Sequence, residues 1–381
     1  MSIIEQTPIK DKIFYQKELG ILGFLDNSGY ELPEEVLMNI YRGLSIEDLF
    51  KISTLSSANK RHFKYIIQNR DIKLDNAYSM KYMISPDFKD LLSNAKTVSL
   101  DIDIRAEDIK KYSSNWCDKP DNVISVKINS KRDITLVKFL NFFNFKNFKN
   151  LETLILVRHI LDTPLIGLIT SFKKLRELNL SYSVGYFNLL RQLETLPNLV
   201  YLKINRTELD DLTHFQNLTN LTYLDLSYND INDILPLRTL TNLTHLELNS
   251  NKIDDLTPFQ NLTNLTYLDL SYNDIEDILP LRTLTNLVYL NLQSTDIYDL
   301  TPLQNLTSLT DVILKNTQIG DLTPLENLTT ITHLNLQTTQ IFDITPLQNL
   351  NNLKYLNLQD TYIDDVKPLQ NLTNLTQLIF K

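Results

Sequence analysis

LTYLDLSYNDIEDILPLRTLTN, residues 265–286, is one of eight consecutive 22-residue segments that run from Leu199 to Asn374 without insertion or deletion. The segments open at Leu199, Leu221, Leu243, Leu265, Leu287, Leu309, Ile331 and Leu353, and a ninth begins at Leu375. A fixed period of this size means stacked supersecondary units, each unable to bury its apolar face alone. Within 265–286 the apolar positions are Leu265, Leu268, Leu270, Ile275, Ile278, Leu281 and Leu284. The L-x-x-L-x-L opening predicts a short strand with Leu268 and Leu270 on one side and Tyr267, Asp269 and Ser271 on the other. Asn273 then turns the chain. Buried there, its amide is expected to bond the backbone of its own coil and of the next. The same place holds Asn229 and Asn251, but Thr207, Thr295, Thr317, Thr339 and Thr361 elsewhere, which supply fewer bonds.

The return side of each unit carries D-[LIV]-x-P-[LF]. Pro recurs in seven of the eight repeats, from Pro236 to Pro368, and His214 replaces it in the first. Thr257, Thr301, Thr323 and Thr345 precede their Pro and are expected to act as N-caps of a short 3₁₀ turn on the convex side. The Asp column (Asp211, Asp233, Asp255, Asp277, Asp299, Asp321, Asp343, Asp365) stands at the entry to that turn, where capping is its expected role.

Upstream the same pattern is present in irregular form, with longer coils over 95–198. Val98–Leu100, Val126–Ile128, Leu154–Leu156 and Leu178–Leu180 read as strand cores spaced 28, 28 and 24 residues apart. Segments 105–114 and 133–145 have room for convex helices. The array amounts to about twelve complete coils plus a stub, with roughly 4.8 Å between strands. Segments 221–242 and 265–286 differ only at Asn232 versus Glu276, the mark of a duplicated two-coil unit.

These features resemble the leucine-rich repeat in its 22-residue form, and the L-x-x-L-x-L-x-x-N-x-I-x-D-[LI]-x-P-L run is similar to that of bacterial internalins. The resemblance implies an α/β solenoid: a leucine-rich-repeat horseshoe with a parallel β-sheet on its concave face and mainly 3₁₀ turns on its convex face. A small helical module is expected ahead of it.

That module lies over 31–70, between an N-terminal helical segment (1–30) and a connector (71–94). Pro33, with Glu34 and Glu35 behind it, opens a helix whose apolar face is Val36, Ile40 and Leu44. Ser45 and Asp48 make a capping box for a second helix bearing Leu49 and Ile52, and Ser56 or Ser57 caps a third. Leu32-Pro33, Glu35-Val36, Ile40, Leu44, Asp48-Leu49, Leu55-Ser56, Asn59-Lys60 and Phe63 together resemble an F-box. The tryptophan often found near the end of that motif is absent; the single Trp is Trp116. The resemblance implies that Leu32, Pro33, Val36, Ile40, Leu44 and Leu49 dock a Skp-type adaptor while the repeats select a substrate. The same helices also read as a cap over the end of the solenoid core, and one module can do both.

Composition narrows the function. One cysteine among 381 residues, Cys117, excludes an intrachain disulfide and fits a reducing compartment. The opening MSIIEQTPIKDKIFYQ shows no basic segment followed by an apolar core, and no apolar run is long enough to span a bilayer. The expected location is the cytoplasm, or a host cytoplasm if the source is a virus or an intracellular bacterium. Residues 199–381 hold 9 Lys and Arg against 22 Asp and Glu, whereas residues 1–198 hold 28 against 24. The repeat array should repel nucleic acid and attract basic surfaces. No Walker loop, dinucleotide glycine fingerprint, paired-Cys motif or His-x-x-x-His occurs. No catalytic residue, metal site or cofactor is therefore expected. His245 and His333 lie four repeats apart, too far to share a metal.

The expected site is the concave sheet, whose outward positions form columns. The third residue of successive repeats reads Tyr201, Tyr223, His245, Tyr267, Tyr289, Asp311, His333, Tyr355. The fifth reads Lys203, Asp225, Glu247, Asp269, Asn291, Ile313, Asn335, Asn357, and Tyr228 and Tyr272 flank the surface. An aromatic ladder beside the acids Asp225, Glu247 and Asp269 has the composition of a binding face: rigid rings give contact area and carboxylates select a partner with a basic patch. Tyr is also simply a good outward strand residue. Two functions follow from these readings. One is a substrate receptor of a Skp–cullin–F-box ubiquitin ligase. The other is a leucine-rich-repeat scaffold or regulatory subunit, phosphatase-regulator-like or internalin-like, without a ligase role.

Overall fold

The computed structural model describes residues 71–74, 97–104, 123–130, 145–185 and 187–380. The segment 1–30, the F-box-like module at 31–70 and the helix expected at 105–114 lie outside these residues. So does the helix expected at 133–145, save Phe145, which opens a 3₁₀ turn, Phe145–Asn147.

A single parallel sheet of 14 strands runs through the described residues in chain order. Its first strands are β1 (Asp71–Leu74), β2 (Thr97–Ile104), β3 (Val123–Ser130), β4 (Thr153–Val157) and β6 (Glu177–Asn179). The regular array adds β8 (Tyr201–Lys203), β9 (Tyr223–Asp225), β10 (His245–Glu247), β11 (Tyr267–Asp269) and β12 (Tyr289–Asn291). It closes with β13 (Asp311–Ile313), β14 (His333–Asn335), β15 (Tyr355–Asn357) and β16 (Gln377–Ile379). A separate two-stranded pair joins β5 (Ile160–Leu161) to β7 (Val184–Gly185). Gly185 has φ 139, and a Cβ there would collide with the carbonyl of Leu161, so only glycine fits this close approach.

From β8 onward the register advances by one repeat per strand: Leu202, Leu224, Leu246, Leu268, Leu290, Val312, Leu334 and Leu356 are successive partners. All are buried, with the next leucine or isoleucine inward, and together they make one continuous core. The upstream strand cores fall where the sequence put them, with one correction. Val126 pairs with Leu100 and not with Val98, so the step from the first core to the second is 26 residues rather than 28; a register shift between Val98 and Ser99 interrupts the pairing. The stretch read as a connector also contributes a strand, since Asp71 to Leu74 pairs with Thr97 to Leu100. One short helix, α1 (Thr163–Ile169), was not foreseen; Asp162 caps it through a 2.9 Å bond from Leu165 N, with Pro164 in its first turn.

The convex side is a row of 3₁₀ turns, as the D-x-x-P pattern predicts. The caps differ from expectation. Thr257, Thr301, Thr323 and Thr345 are the first residues of their turns and not the caps. The Asp two places earlier holds the free backbone N–H: Thr213, Leu235, Thr257, Leu279, Thr301, Thr323, Thr345 and Lys367 each donate to it at 2.7–2.9 Å. Hydrogen bonds from Thr213, Thr257, Thr323 and Thr345 hold Asp211, Asp255, Asp321 and Asp343 below the usual carboxylate range, as the Lys367 N–H does for Asp365.

Between strand and turn the chain bends inward at a left-handed residue: Tyr182, Arg206, Tyr228, Ser250, Tyr272, Ser294, Asn316, Thr338 and Asp360 all have φ between 55 and 60, and Glu208 adds a second in the coil of Arg206. None is glycine, so the bend is imposed by its surroundings. From Tyr182 to Thr338 their N–H groups are tied to the following coil, as Tyr228 N is to Asn249 O at 2.8 Å and Ser250 N to Ser271 O at 2.8 Å. The bend drives the next side chain into the core. Asn229 Nδ2 donates to Leu226 O of its own coil and to Ile204 O of the preceding coil, while Oδ1 accepts from Thr207 N and Leu209 N. The expected second partner was the following coil; the amide reaches back instead. Where Thr295, Thr317, Thr339 or Thr361 takes the place, its hydroxyl donates to its own coil, as from Thr295 to Leu292 O at 2.7 Å, while Thr207 also donates to Asn229 Oδ1 at 2.9 Å.

Asn251 bonds Leu226 O, Leu248 O and Ile231 N in the same way. Asn251→Ala strands those buried groups and should lower stability by roughly 3 kcal/mol, with Asn251→Thr costing about half as much. Urea unfolding followed by circular dichroism checks the order; equal losses for the two variants would remove the amide from its structural role.

Candidate functional site

Parallel register places the third residue of every repeat, the first of its strand, directly beside its neighbours, so a column of rings must either stack or clash. Here it stacks. Tyr201 and Tyr223 lie 4.1 Å apart between ring centroids, Tyr223 and His245 4.3 Å, His245 and Tyr267 3.9 Å, and Tyr267 and Tyr289 4.2 Å. Their planes differ by 15°, 12°, 10° and 2° in that order. Five rings thus form one unbroken, half-buried pile on the concave face. Tyr355 stands apart from it, 6.2 Å from His333 and on the far side of Asp311.

The polar tips are held in place. The Tyr223 hydroxyl donates to Glu247 Oε1 at 2.5 Å, and His245 Nε2 lies 3.1 Å from the same oxygen. A carboxylate only accepts, so His245 carries its proton on Nε2 in this contact. The bonds from His245 and Tyr223 hold Glu247 below the ordinary glutamate range against its own burial. Burial, then Glu247, pushes the Tyr223 phenol far above its ordinary value, and burial does the same for Tyr267. These phenols remain neutral donors at any physiological pH.

The acidic column departs from expectation. Asp225 is 1% exposed and fully engaged: Lys203 Nζ lies at 3.3 Å, Asn205 Nδ2 donates at 2.7 Å, and Ser227 donates through N and Oγ. It orders the sheet edge and offers a partner little. Lys203 in turn sits over the Tyr201 and Tyr223 rings at 5.9 and 5.0 Å. Asp269 has no lysine neighbour. It accepts from Ser271 N and Oγ and from Asn291 Nδ2, yet burial outweighs these bonds and raises its pKa. Of the three acids, Glu247 and Asp269 remain partly open to the concave side.

Two features escaped the reading of the columns. Along the edge of the sheet, Arg158, Tyr182, Arg206 and Tyr228 alternate in a cation–π chain: Arg158 is 5.3 Å from the Tyr182 ring, and Arg206 is 5.6 Å from Tyr182 and 3.7 Å from Tyr228. The sequence signal was one left-handed position recurring at successive coils. Further along, Tyr289, Asp311, Ile313, His333 and Tyr355 line an open concavity, whose signal was the lone acid and the lone hydrocarbon in their columns. Among the described residues, no three His, Cys, Asp or Glu side chains are grouped to hold a metal ion, and no helix is long and apolar enough to cross a membrane.

Asn291 makes the same backbone bond as Asp269, accepting from the N–H two residues on at 3.0 Å, so Asn is accommodated at this place. Asp269→Asn should be neutral or stabilising at pH 7. The folded carboxyl titrates above its unfolded value, so its stabilising share is present at acid pH and lost as pH rises through the folded pKa. Relative to Asp269→Asn, the unsubstituted chain should therefore lose ground between about pH 3 and pH 7. Asp225→Asn leaves Lys203 without its ion partner and should cost about 2 kcal/mol at pH 7. Thermal melts of both variants decide; a larger loss for Asp269→Asn than for Asp225→Asn contradicts the assignment.

Residues 219–261 and 263–306 match the family model described as Leucine Rich repeats (2 copies). No curated protein matches the chain. Among solved structures, the chain is similar to an internalin (inlF) from Listeria monocytogenes, with 28% identity, a TM-score of 0.59, and coverage of 68% of this chain and 81% of that one. It is similar in fold to the plant peptide hormone receptor RGFR1 in complex with RGF2, at 17% identity and a TM-score of 0.55, covering 76% of this chain and 51% of that one. It is also similar in fold to the ectodomain of the receptor kinase GASSHO1/SCHENGEN3 from Arabidopsis thaliana, at 15% identity and a TM-score of 0.53, covering 77% and 39%. The stacked coils, the parallel sheet, the 3₁₀ turns and these matches agree: the chain carries leucine-rich repeats and folds as a leucine-rich-repeat solenoid with internalin-like structural neighbours.

Proposed function

We propose that this chain is a non-enzymatic adaptor that grips another protein on the concave face between Tyr201 and Tyr355. The observation that carries the reading is the five-ring stack. Rings locked by mutual contact and by the Glu247 bonds lose little freedom on binding, and their exposed edges offer apolar area with polar tips. Tyr201, Tyr223, His245, Glu247, Tyr267, Asp269, Tyr289 and Tyr355 are the contact residues of this proposal, with Asp225 supporting them from beneath. An excess of 13 negative charges over 199–381 draws in a partner with a basic patch.

The finer reading is a substrate receptor of a Skp–cullin–F-box ubiquitin ligase, working in the cytoplasm of its cell or host. Its support is the F-box-like spacing in 31–70, with Leu32, Pro33, Val36, Ile40, Leu44 and Leu49 against a Skp-type adaptor. The second reading, a scaffold or internalin-like receptor binder with no ligase role, is favoured by the similarity to the Listeria internalin.

Pull-down of a Skp-type adaptor with the full chain, and with the chain lacking 31–70, separates the two. Capture that disappears with the deletion supports the ligase subunit; no capture by the full chain rejects it. The concave face is tested apart from that. Tyr223→Ala with Tyr267→Ala should weaken the target bound in the native cell by about a hundredfold, about tenfold per ring. Undiminished binding refutes the concave site.

A further inference from the structure

The ring column is interrupted once. After Tyr289 the next register place belongs to Asp311, which pairs with Tyr289 on one side and His333 on the other. In the same coil Ile313 stands where the neighbouring coils carry Asn291 and Asn335. The outcome is an open concavity of about 320 Å³ on the concave face. Its walls differ in chemistry. Tyr289 bounds one side: Tyr267 covers one face of its ring at 4.2 Å, and no ring follows at the next place. Ile313 is a hydrocarbon floor. The Asp311 carboxylate fills only the near end of the place a sixth ring would take, with Thr310 Oγ1 donating to one oxygen and His333 Nδ1 3.1 Å from the other.

We infer that this slot is a specificity pocket for an arginine side chain of the bound protein. The inference rests on the concave face being the protein-binding surface. A guanidinium is planar and fits a ring-sized place, continuing the pile against Tyr289. Its N–H groups point in its own plane, toward the Asp311 carboxylate. Its methylene stem covers Ile313. A neutral aromatic ring would also stack, but it would strip water from Asp311 without replacing the charge partner. A lysine ammonium would pair with Asp311 but would leave the flat face of Tyr289 poorly covered. His333, 53% exposed at its side chain, gives way at little cost when the guanidinium arrives. The acidic repeat array supplies the long-range attraction that brings a cationic side chain to the slot.

The test is selection of random dodecapeptides on the full chain, followed by affinity measurement on variants. Peptides whose binding is lost in the Tyr223→Ala/Tyr267→Ala chain are the concave-face binders. These should share an arginine, and replacing it by lysine should weaken them several-fold. Asp311→Asn should weaken them by about tenfold while leaving the melting temperature unchanged. Asp311→Tyr, which fills the slot with a sixth ring, should abolish the arginine preference. Concave-face binders that share no arginine, or that keep their affinity in Asp311→Asn, overturn the pocket and leave the concave site standing. If no selected peptide depends on Tyr223 and Tyr267, the concave site itself fails and the pocket falls with it.

Discussion

A strand of three residues is too short to hold itself, and everything in this molecule follows from how each one is held. Leu246 sits between Leu224 and Leu268 in strict register, and the backbone of each coil is tied to the next on both sides of that leucine. Burial of a leucine contributes roughly 1.5–3 kcal/mol, a gain realised only when neighbouring coils close over it. The amides of Asn229, Asn251 and Asn273 extend the same dependence to polar groups, since each satisfies backbone atoms of the preceding coil. Stability is therefore shared along the array and belongs to no single repeat.

The lateral constraint that builds the core also builds the surface. If Leu224, Leu246 and Leu268 align beneath, then Tyr223, His245 and Tyr267 must align above. The proposed binding face is thus the outer side of the core's own register. It also explains why the acids do different work. Asp225 faces Lys203 one coil back and is consumed by it, whereas no such ion pair holds Asp269 and burial raises its pKa. Identical positions in near-identical repeats acquire different chemistry from the coil beside them.

That distinction sets what could be read from the chain alone. Leu268, Leu270, Asn273 and the Asp column were legible because each obeys a rule internal to one coil: alternation, a tight bend, a free N–H at a turn. The solenoid, its parallel sheet and its 3₁₀ turns follow from those rules. What one coil does not encode was missed or misassigned. The amide of Asn229 reaches back a coil rather than forward. The step from β2 to β3 is 26 residues because Leu100 rather than Val98 sits beside Val126, an alignment that spacing alone does not reveal. The strand at Asp71–Leu74 lacks the leucine pattern and is recognised only by its pairing with β2. The columns of Tyr were visible, but their stacking and the use of Asp225 depend on neighbours in space.

The pile of rings carries a mechanical consequence. Its centroids are 3.9–4.3 Å apart, closer than the roughly 4.8 Å that separates adjacent strands, so the rings lean together on the inside of the curve. Opening the arc there would pull five touching planes apart, while tightening it would crush them. Past Asp311 the spacing relaxes to 6.2 Å between His333 and Tyr355, and that resistance ends. Sheet and core continue unbroken through the coil that lacks a ring, so only the bracing added by the pile stops there.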